Sequence, residues 1–403
     1  MFLMIGIWYS DDGSAVPLLV QDWLAARRNA TPVGVRRATR PRNPTRRRNP
    51  TRVGATRRTG TATRPGLASV IGVECIRQVR LRKRLKLHPR DVARFLLLLG
   101  RMTQPRLVLR GSTVMVTRRT LRRHHLFRPD PAIRQLYLYT LAVCAREFGV
   151  LVHAVTLMST HEHLIVTDTK GRLPDFLRCL HRLVALGTKV LRKWEGPTWD
   201  HERPSVVRLL TEQAIVEKLA YVMANPVKAG LVRRAREWPG LTVLPQELGR
   251  RTWRIERPEV FFDADNPKWP DTVELSLLLP PSLEGAYDAH ALRQAVALEL
   301  DRQEQLAHQE VRRRNWRVLG ADRIRKLSPY RRATSFEPRR GRNPTFAVGR
   351  GQQGAFFRAV AELRAFRRAY RQALEQWRAG MRQVLFPKGT WSMCQVHGVA
   401  ASI

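Results

Sequence analysis

Between residues 105 and 232 the apolar residues change their period in a fixed order, and that order limits the folds open to the chain. Leu107, Leu109, Val114 and Val116 alternate with polar neighbours around Gly111, which predicts a bent strand. A loop rich in Arg and His ends at Pro129-Asp130-Pro131. Ile133, Leu136, Tyr137, Thr140, Leu141, Cys144 and Phe148 then recur at helical spacing, and Gly149 supplies a stop. Residues 150–158 and 164–167 read as two strands about the Ser159-Thr160 turn. Phe176, Leu180, Leu183, Val184, Gly187, Val190, Leu191 and Trp194 form one stripe of a long helix, broken by Gly196-Pro197. Residues 206–210 make a fourth strand, and a helix from Thr211 through Met223 is expected to close at Asn225-Pro226. The first six elements match βαββαβ. The expected fold class is therefore α+β: a ferredoxin-like or RRM-like antiparallel sheet with helices on one face, the other open for a substrate.

The flanks differ from this region. From 36 to 64 every charged residue is Arg, set among Thr, Pro, Gly and Asn, with Arg-Asn-Pro-Thr-Arg at 42–46 and 48–52. Such a segment buries too little apolar surface to offset chain entropy, so 1–101 is expected to be disordered, with Met102 as a natural start. It could serve as a nucleic-acid-binding arm, but a solvated tail is the plainer reading. Residues 105–235 form the expected central domain, and 236–403 a basic, mainly helical extension. The extension holds a charged helix near 289–314, a basic link at 326–351, and an amphipathic helix. In that last helix Phe356, Val360, Leu363, Phe366, Tyr370, Leu374, Trp377 and Met381 share one face, the pattern of core packing.

Seventy-three Lys+Arg against 33 Asp+Glu leave a net charge of +40, which points to a polyanionic partner. Cys75, Cys144, Cys179 and Cys394 are scattered without a CxxC pair; this excludes a disulfide scaffold and a thiolate zinc finger and suits a reducing compartment. No apolar stretch approaches the roughly 20 residues of a membrane span. The apolar start at 1–9 has no basic n-region and runs into Asp11 and Asp12, unlike a signal peptide. A cytoplasmic, nucleoid-associated protein is expected.

Two small constellations could carry chemistry. In His161-Glu162-His163, a strand would aim both imidazoles at one face, as two ligands of a divalent metal. Tyr221 lies off the apolar stripe Ile215, Leu219, Val222 and Met223, and Asn225 shares its face one turn later. Each alone has an ordinary explanation: two surface histidines, and an amphipathic tyrosine before an Asn-Pro stop.

Together they say more. Segment 152–166, Val-His-Ala-Val-Thr-Leu-Met-Ser-Thr-His-Glu-His-Leu-Ile-Val, precedes 219–232, Leu-Ala-Tyr-Val-Met-Ala-Asn-Pro-Val-Lys-Ala-Gly-Leu-Val, with Gly196-Pro197-Thr198-Trp199 between them. This resembles the single-tyrosine HUH transposases, in particular the REP-associated tyrosine transposases and their bacterial insertion-sequence relatives, over about 105–235. The resemblance implies a metal pair at His161 and His163, a nucleophile at Tyr221, and a third polar ligand at Asn225. It implies Mg²⁺ or Mn²⁺ as cofactor, single-stranded or hairpin DNA as substrate, and a homodimer in which the tyrosine serves its own or its partner's site. The implied activity is DNA cleavage and rejoining through a 5′-phosphotyrosine.

Two positions depart from the family pattern. Glu162 stands where a bulky apolar residue is usual, and Ser159-Thr160 replaces Pro-Asn. Alternation turns Glu162 toward the packed helices, where it needs a partner such as Arg178 or His181. Arg118, Arg119, Arg122, Arg123, Arg178, Arg182, Lys189, Arg192 and Lys193 are candidate DNA-backbone contacts, with solvated surface charge as the plain alternative. A competing function is a non-catalytic DNA-binding protein, a domesticated or decayed transposase, which Glu162 favours. An RNA-binding RRM is disfavoured because neither central strand carries a stacking aromatic. A zinc protease is disfavoured because H-E-H lacks the H-E-x-x-H spacing.

Overall fold

The structure, a computed structural model, describes residues 104–335 and 344–402. The expectations for 1–101, for Met102 and for 336–343 of the basic link lie outside the described residues. Seven elements follow in the expected order: β1 (Ser112–Arg119), α1 (Pro131–Phe148), β2 (Val150–Met158), β3 (His161–Asp168), α2 (Leu173–Arg192), β4 (Ser205–Leu209) and α3 (Glu212–Lys228). Local chemistry marks their ends. Asp130 caps α1 by accepting the Ile133 N–H at 3.0 Å, Pro131 fills the first turn, and Gly149 closes the helix at φ 66°. Asp168, at the end of β3, accepts the N–H groups of Arg172 and Leu173 and so turns the chain into α2.

The hairpin β2–β3 runs from Met158↔His161 to Val150↔Asp168, with β1 on the other side of β3 pairing Arg119↔His161 through Ser112↔Asp168. Strand β3 thus begins at His161, three residues earlier than the apolar run suggests. Ladder bonds from both neighbours hold the polar His-Glu-His segment extended.

The class is α+β, but the sheet departs from a four-stranded antiparallel one. It has five strands in the order β2-β3-β1-β4-β7, and β7 (Phe346–Ala347) joins β4 in parallel, so the sheet is mixed. Nor do the helices keep to one face. Helix α2 meets the side of β3 that carries Glu162, whereas α3 meets the side that carries His163. The apolar stripe of α3, Ile215, Leu219, Val222 and Met223, is fully buried, so the face expected to lie open is partly covered. Helix α3 also continues through Pro226 to Lys228. A proline this near the C-terminus forfeits one backbone bond, and the Ala229 N–H still reaches the Asn225 carbonyl at 3.0 Å.

The extension adds a hairpin, β5 (Thr252–Glu256) with β6 (Thr272–Ser276), which the periodicity does not announce. It also adds helices α4 (Ala289–Arg313), α5 (Ala321–Lys326), α6 (Gln353–Arg378) and α7 (Ser392–His397). Trp238, Val243, Trp253 and Ile255, with Leu292, Val296 and Leu300 of α4, join the same core as β1 to α3. Around α3 the extension acts as a clamp. Gln303 of α4 donates to the Glu217 carbonyl at 3.1 Å, and Arg350 pairs with Glu217 at 2.9 Å. Gly349 donates its N–H to Thr211, the N-cap of α3; a Cβ at Gly349 would stand 3.0 Å from the Ala214 nitrogen. Helix α6 buries Phe366, Ala359 and Ala373, and Ala373 belongs to a small second core with Phe386, Met393 and Val399. Met381 lies past its end and is exposed. No described helix is long and apolar enough to cross a membrane.

One buried histidine ties the extension to the sheet. His153 of β2 donates from Nδ1 to the Leu278 carbonyl at 2.6 Å and accepts at Nε2 from the Thr167 hydroxyl at 2.7 Å. Burial drives its pKa down to about 4, against a smaller opposing effect of the Leu278 carbonyl. In the unfolded chain the ring takes up its proton near pH 6.5. The stability owed to neutral His153 is therefore whole above pH 6.5 and is lost as pH falls toward 4, up to about 3 kcal/mol. Thermal unfolding across that window is expected to show this slope, and His153→Gln to flatten it; parallel curves for the two proteins would contradict the assignment.

Candidate active site

Alternation along β3 puts His161 and His163 on one face and Glu162 on the other. The two imidazole centroids are 4.7 Å apart with the rings nearly perpendicular, at 83°. Threonine hydroxyls hold both rings: Thr117 Oγ1 is 2.9 Å from His163 Nδ1, and Thr160 Oγ1 is 2.9 Å from His161 Nδ1. A cation at this pair would thus be taken through Nε2, with the threonines fixing ring orientation from behind.

Tyr221 comes to this pair from α3 of the same chain. Its ring centroid lies 5.8 Å from that of His163, edge-on at 85°. Asn225, almost buried, donates its amide to the Tyr221 carbonyl at 2.8 Å, which leaves Oδ1 as the atom able to bind a cation. Among the described residues no three His, Cys, Asp or Glu gather as a metal cluster. Two imidazoles and an amide oxygen are nonetheless a donor set that fits a borderline divalent ion, Mn²⁺ more comfortably than Mg²⁺.

Beneath the pair, Glu162 is fully buried and finds two partners. The Tyr137 hydroxyl of α1 donates to Oε2 at 2.8 Å, and His181 Nε2 of α2 bonds to Oε1. Burial, and then the Glu162 carboxylate, push the Tyr137 phenol well above its ordinary pKa, so it stays a donor. Trp199, from the turn before β4, bonds to the His181 carbonyl at 2.7 Å and braces the network. Of the two partners expected from the sequence, His181 is the one used; Arg178 pairs with Asp175 at 2.5 Å.

The basic candidates fare unequally. Arg119 stands opposite His161 in the β1–β3 register, on the imidazole face, and Arg118 opposite Glu162, on the other. Arg118 packs its guanidinium 5.0 Å from the Trp199 ring centroid. Arg123 donates to Ser335, while Arg122 is exposed. Arg178, Arg182, Lys189 and Lys193 belong to α2 or its cap, on the helix that covers the Glu162 side of the sheet. Arg192 must be withdrawn as a DNA contact. It is 8% exposed, pairs with Asp130 at 2.6 Å, and donates to the Leu126 and Arg128 carbonyls, joining α2 to the cap of α1.

Sequence reasoning passed over two lysines. Lys218, Tyr221, Asn225 and Lys228 are spaced by three, four and three residues and share one stripe of α3. The Lys228 ammonium is 4.1 Å from the Tyr221 ring centroid and that of Lys218 is 5.1 Å away. Burial lowers the Lys218 pKa, with Glu217 opposing. The spacing was a signal in plain view, hidden by the many basic residues around it.

No family model and no curated protein matches the chain. Solved structures similar to it include a REP-associated tyrosine transposase bound to a REP hairpin, at 18% identity and TM-score 0.32, covering 37% of this chain and 86% of that one. A transposase candidate from Deinococcus radiodurans aligns at 19% identity and TM-score 0.22, covering 27% of this chain and 87% of that one. At these scores the likeness carries no argument about activity.

The Glu162 network makes a direct prediction. Glu162→Ala leaves two buried polar groups without their acceptor and is expected to lower stability by about 2–5 kcal/mol in urea denaturation. A triple replacement, Glu162→Leu with Tyr137→Phe and His181→Leu, is expected to recover most of that loss. An alanine variant as stable as the parent would contradict this account of the buried side.

Proposed function

We propose that this chain is a transposase-type endonuclease that cleaves and rejoins single-stranded DNA, with Tyr221 as nucleophile. The observation that carries the reading is the placement of the Tyr221 phenol against His163, beside His161, within one chain. The α+β class, with β1 to β4 pairing antiparallel inside a five-stranded mixed sheet, supports the reading.

A Mg²⁺ or Mn²⁺ ion held by His161, His163 and Asn225 would supply positive charge to a non-bridging oxygen of the scissile phosphate. The chain's own groups do the rest. Thr117 and Thr160 keep the imidazoles in place, and α3 presents the phenol to the phosphate. Tyr221 Oη attacks phosphorus in line: the phosphorus–Oη bond forms, the bond to the 3′ oxygen breaks, and the phenol's proton ends on the released 3′-hydroxyl. The phosphodiester energy is kept in the 5′-phosphotyrosine. A second 3′-hydroxyl reverses the step, so no nucleotide cofactor is required. Because the phenol reaches the imidazoles of its own chain, each subunit of a homodimer would hold a whole site. Hairpin or single-stranded DNA is the substrate class, and a nucleoid-associated protein is the corresponding location. Glu162 weighs less for a decayed enzyme now that its carboxylate has two partners on the far side of the sheet.

Incubation of the full chain with single-stranded and hairpin oligonucleotides and Mn²⁺ is expected to give a covalent adduct stable to denaturing electrophoresis. The adduct should vanish in Tyr221→Phe and in His161→Ala with His163→Ala. Binding without any adduct would instead favour a non-catalytic DNA-binding protein.

A further inference from the structure

We propose that Cys144 and Cys179 are a redox modification site, where hydrogen peroxide converts two facing thiols into a disulfide that links α1 to α2. The site lies on the Glu162 side of the sheet and is independent of the nuclease reading.

Cys144 of α1 donates its thiol proton to the Cys179 sulfur of α2 at 3.0 Å, across 35 positions of sequence. The rest of the seam between the two helices holds this contact in register. Gly187 lets the helices close up, since a Cβ there would stand 2.5 Å from Leu136 Cδ1. Glu162 then bridges Tyr137 to His181. Cys144 lies two turns, about 10 Å, beyond Tyr137 along α1, and Cys179 two residues before His181 along α2. A disulfide needs its sulfurs about 2.05 Å apart, so closure takes a shift of about 1 Å. Cys394, by contrast, donates its thiol to the Thr390 carbonyl at 3.1 Å.

The two thiols differ as an attacking and a resolving sulfur must. Cys144 is fully buried, and its pKa is raised by the bond to Cys179 and then by burial. Cys179 is half-buried, and the bond from Cys144 lowers its pKa; Lys268 and Arg182 act the same way, against burial and Glu147. Cys179 therefore reacts first. Its thiolate attacks one peroxide oxygen, the O–O bond breaks, and a sulfenic acid and hydroxide result. The Cys144 sulfur then attacks the Cys179 sulfur: the S–S bond forms, the S–O bond breaks, and the Cys144 proton leaves with the hydroxyl as water. In all, two thiols lose two electrons and two protons, and the peroxide becomes two waters. In a reducing compartment the dithiol is the resting form, and thiol exchange restores it.

The test uses the full chain, first reduced and then given a few equivalents of hydrogen peroxide. Remaining thiols are blocked with N-ethylmaleimide in urea, and the protein is digested with trypsin. The expected product joins peptide 135–146 to peptide 179–182 with the loss of two hydrogens, and dithiothreitol reverses it. The oxidised chain is expected to melt about 5 °C or more above the reduced one, whereas peroxide should leave the midpoint of Cys179→Ser unchanged. Cys179 recovered as sulfinic acid beside an alkylated Cys144 would overturn the proposal. So would a disulfide from either residue to Cys75 or Cys394 in place of the linked pair, or both thiols still open to alkylation after peroxide.

Discussion

The site depends first on one buried carboxylate. Glu162 has its two oxygens bonded to Tyr137 and His181, one on each helix that covers that side of the sheet. Since side chains alternate along a strand, this forces His161 and His163 out through the other face. A register slip of one residue would turn both imidazoles toward α1 and α2 and take the carboxylate away from Tyr137 and His181, undoing the network and the site together. A residue that looks like a defect in the motif is therefore what holds the motif's direction.

The second requirement is that α3 sit over that other face. Its apolar stripe accounts for the attraction, but several polar contacts set its position along the sheet. Thr211 caps it and is itself bonded by Gly349, while Gln303 and Arg350 grip it near Glu217. All three gripping residues come from beyond residue 235. The extension thus has a structural task at the helix that bears Tyr221, whatever else it does.

The legible part of the fold is the part where periodicity is strong. Seven elements from β1 to α3 appear in the order their apolar spacing predicts, and Asp130, Gly149 and Thr211 mark boundaries by ordinary capping chemistry. Misreadings have physical causes. Leu164-Ile165-Val166 is a continuous apolar run, the sign of a strand buried on both faces, and it argued against an open face. Pro226 looked like a stop because its neighbours were read without the tertiary contacts that carry α3 onward. Strand β7 is only two residues long, below any periodic signal. At the site, His161, His163 and Tyr221 were visible as a motif and do come together. Lys218 and Lys228 were lost among basic residues, and burial of Arg192 depends on Asp130, 62 positions away by chain numbering.

The proposed function makes one claim above the rest: that the threonine-backed imidazoles of His161 and His163, with the Tyr221 ring against His163, would take a single divalent ion. Electron spin echo measurements on the full chain loaded with Mn²⁺ address it without reference to DNA. One ion per chain with nitrogen couplings from two imidazoles, both lost in His161→Ala with His163→Ala, is the expected result. Manganese that binds with no imidazole nitrogen in its shell, or that binds equally well to the double variant, would contradict the account.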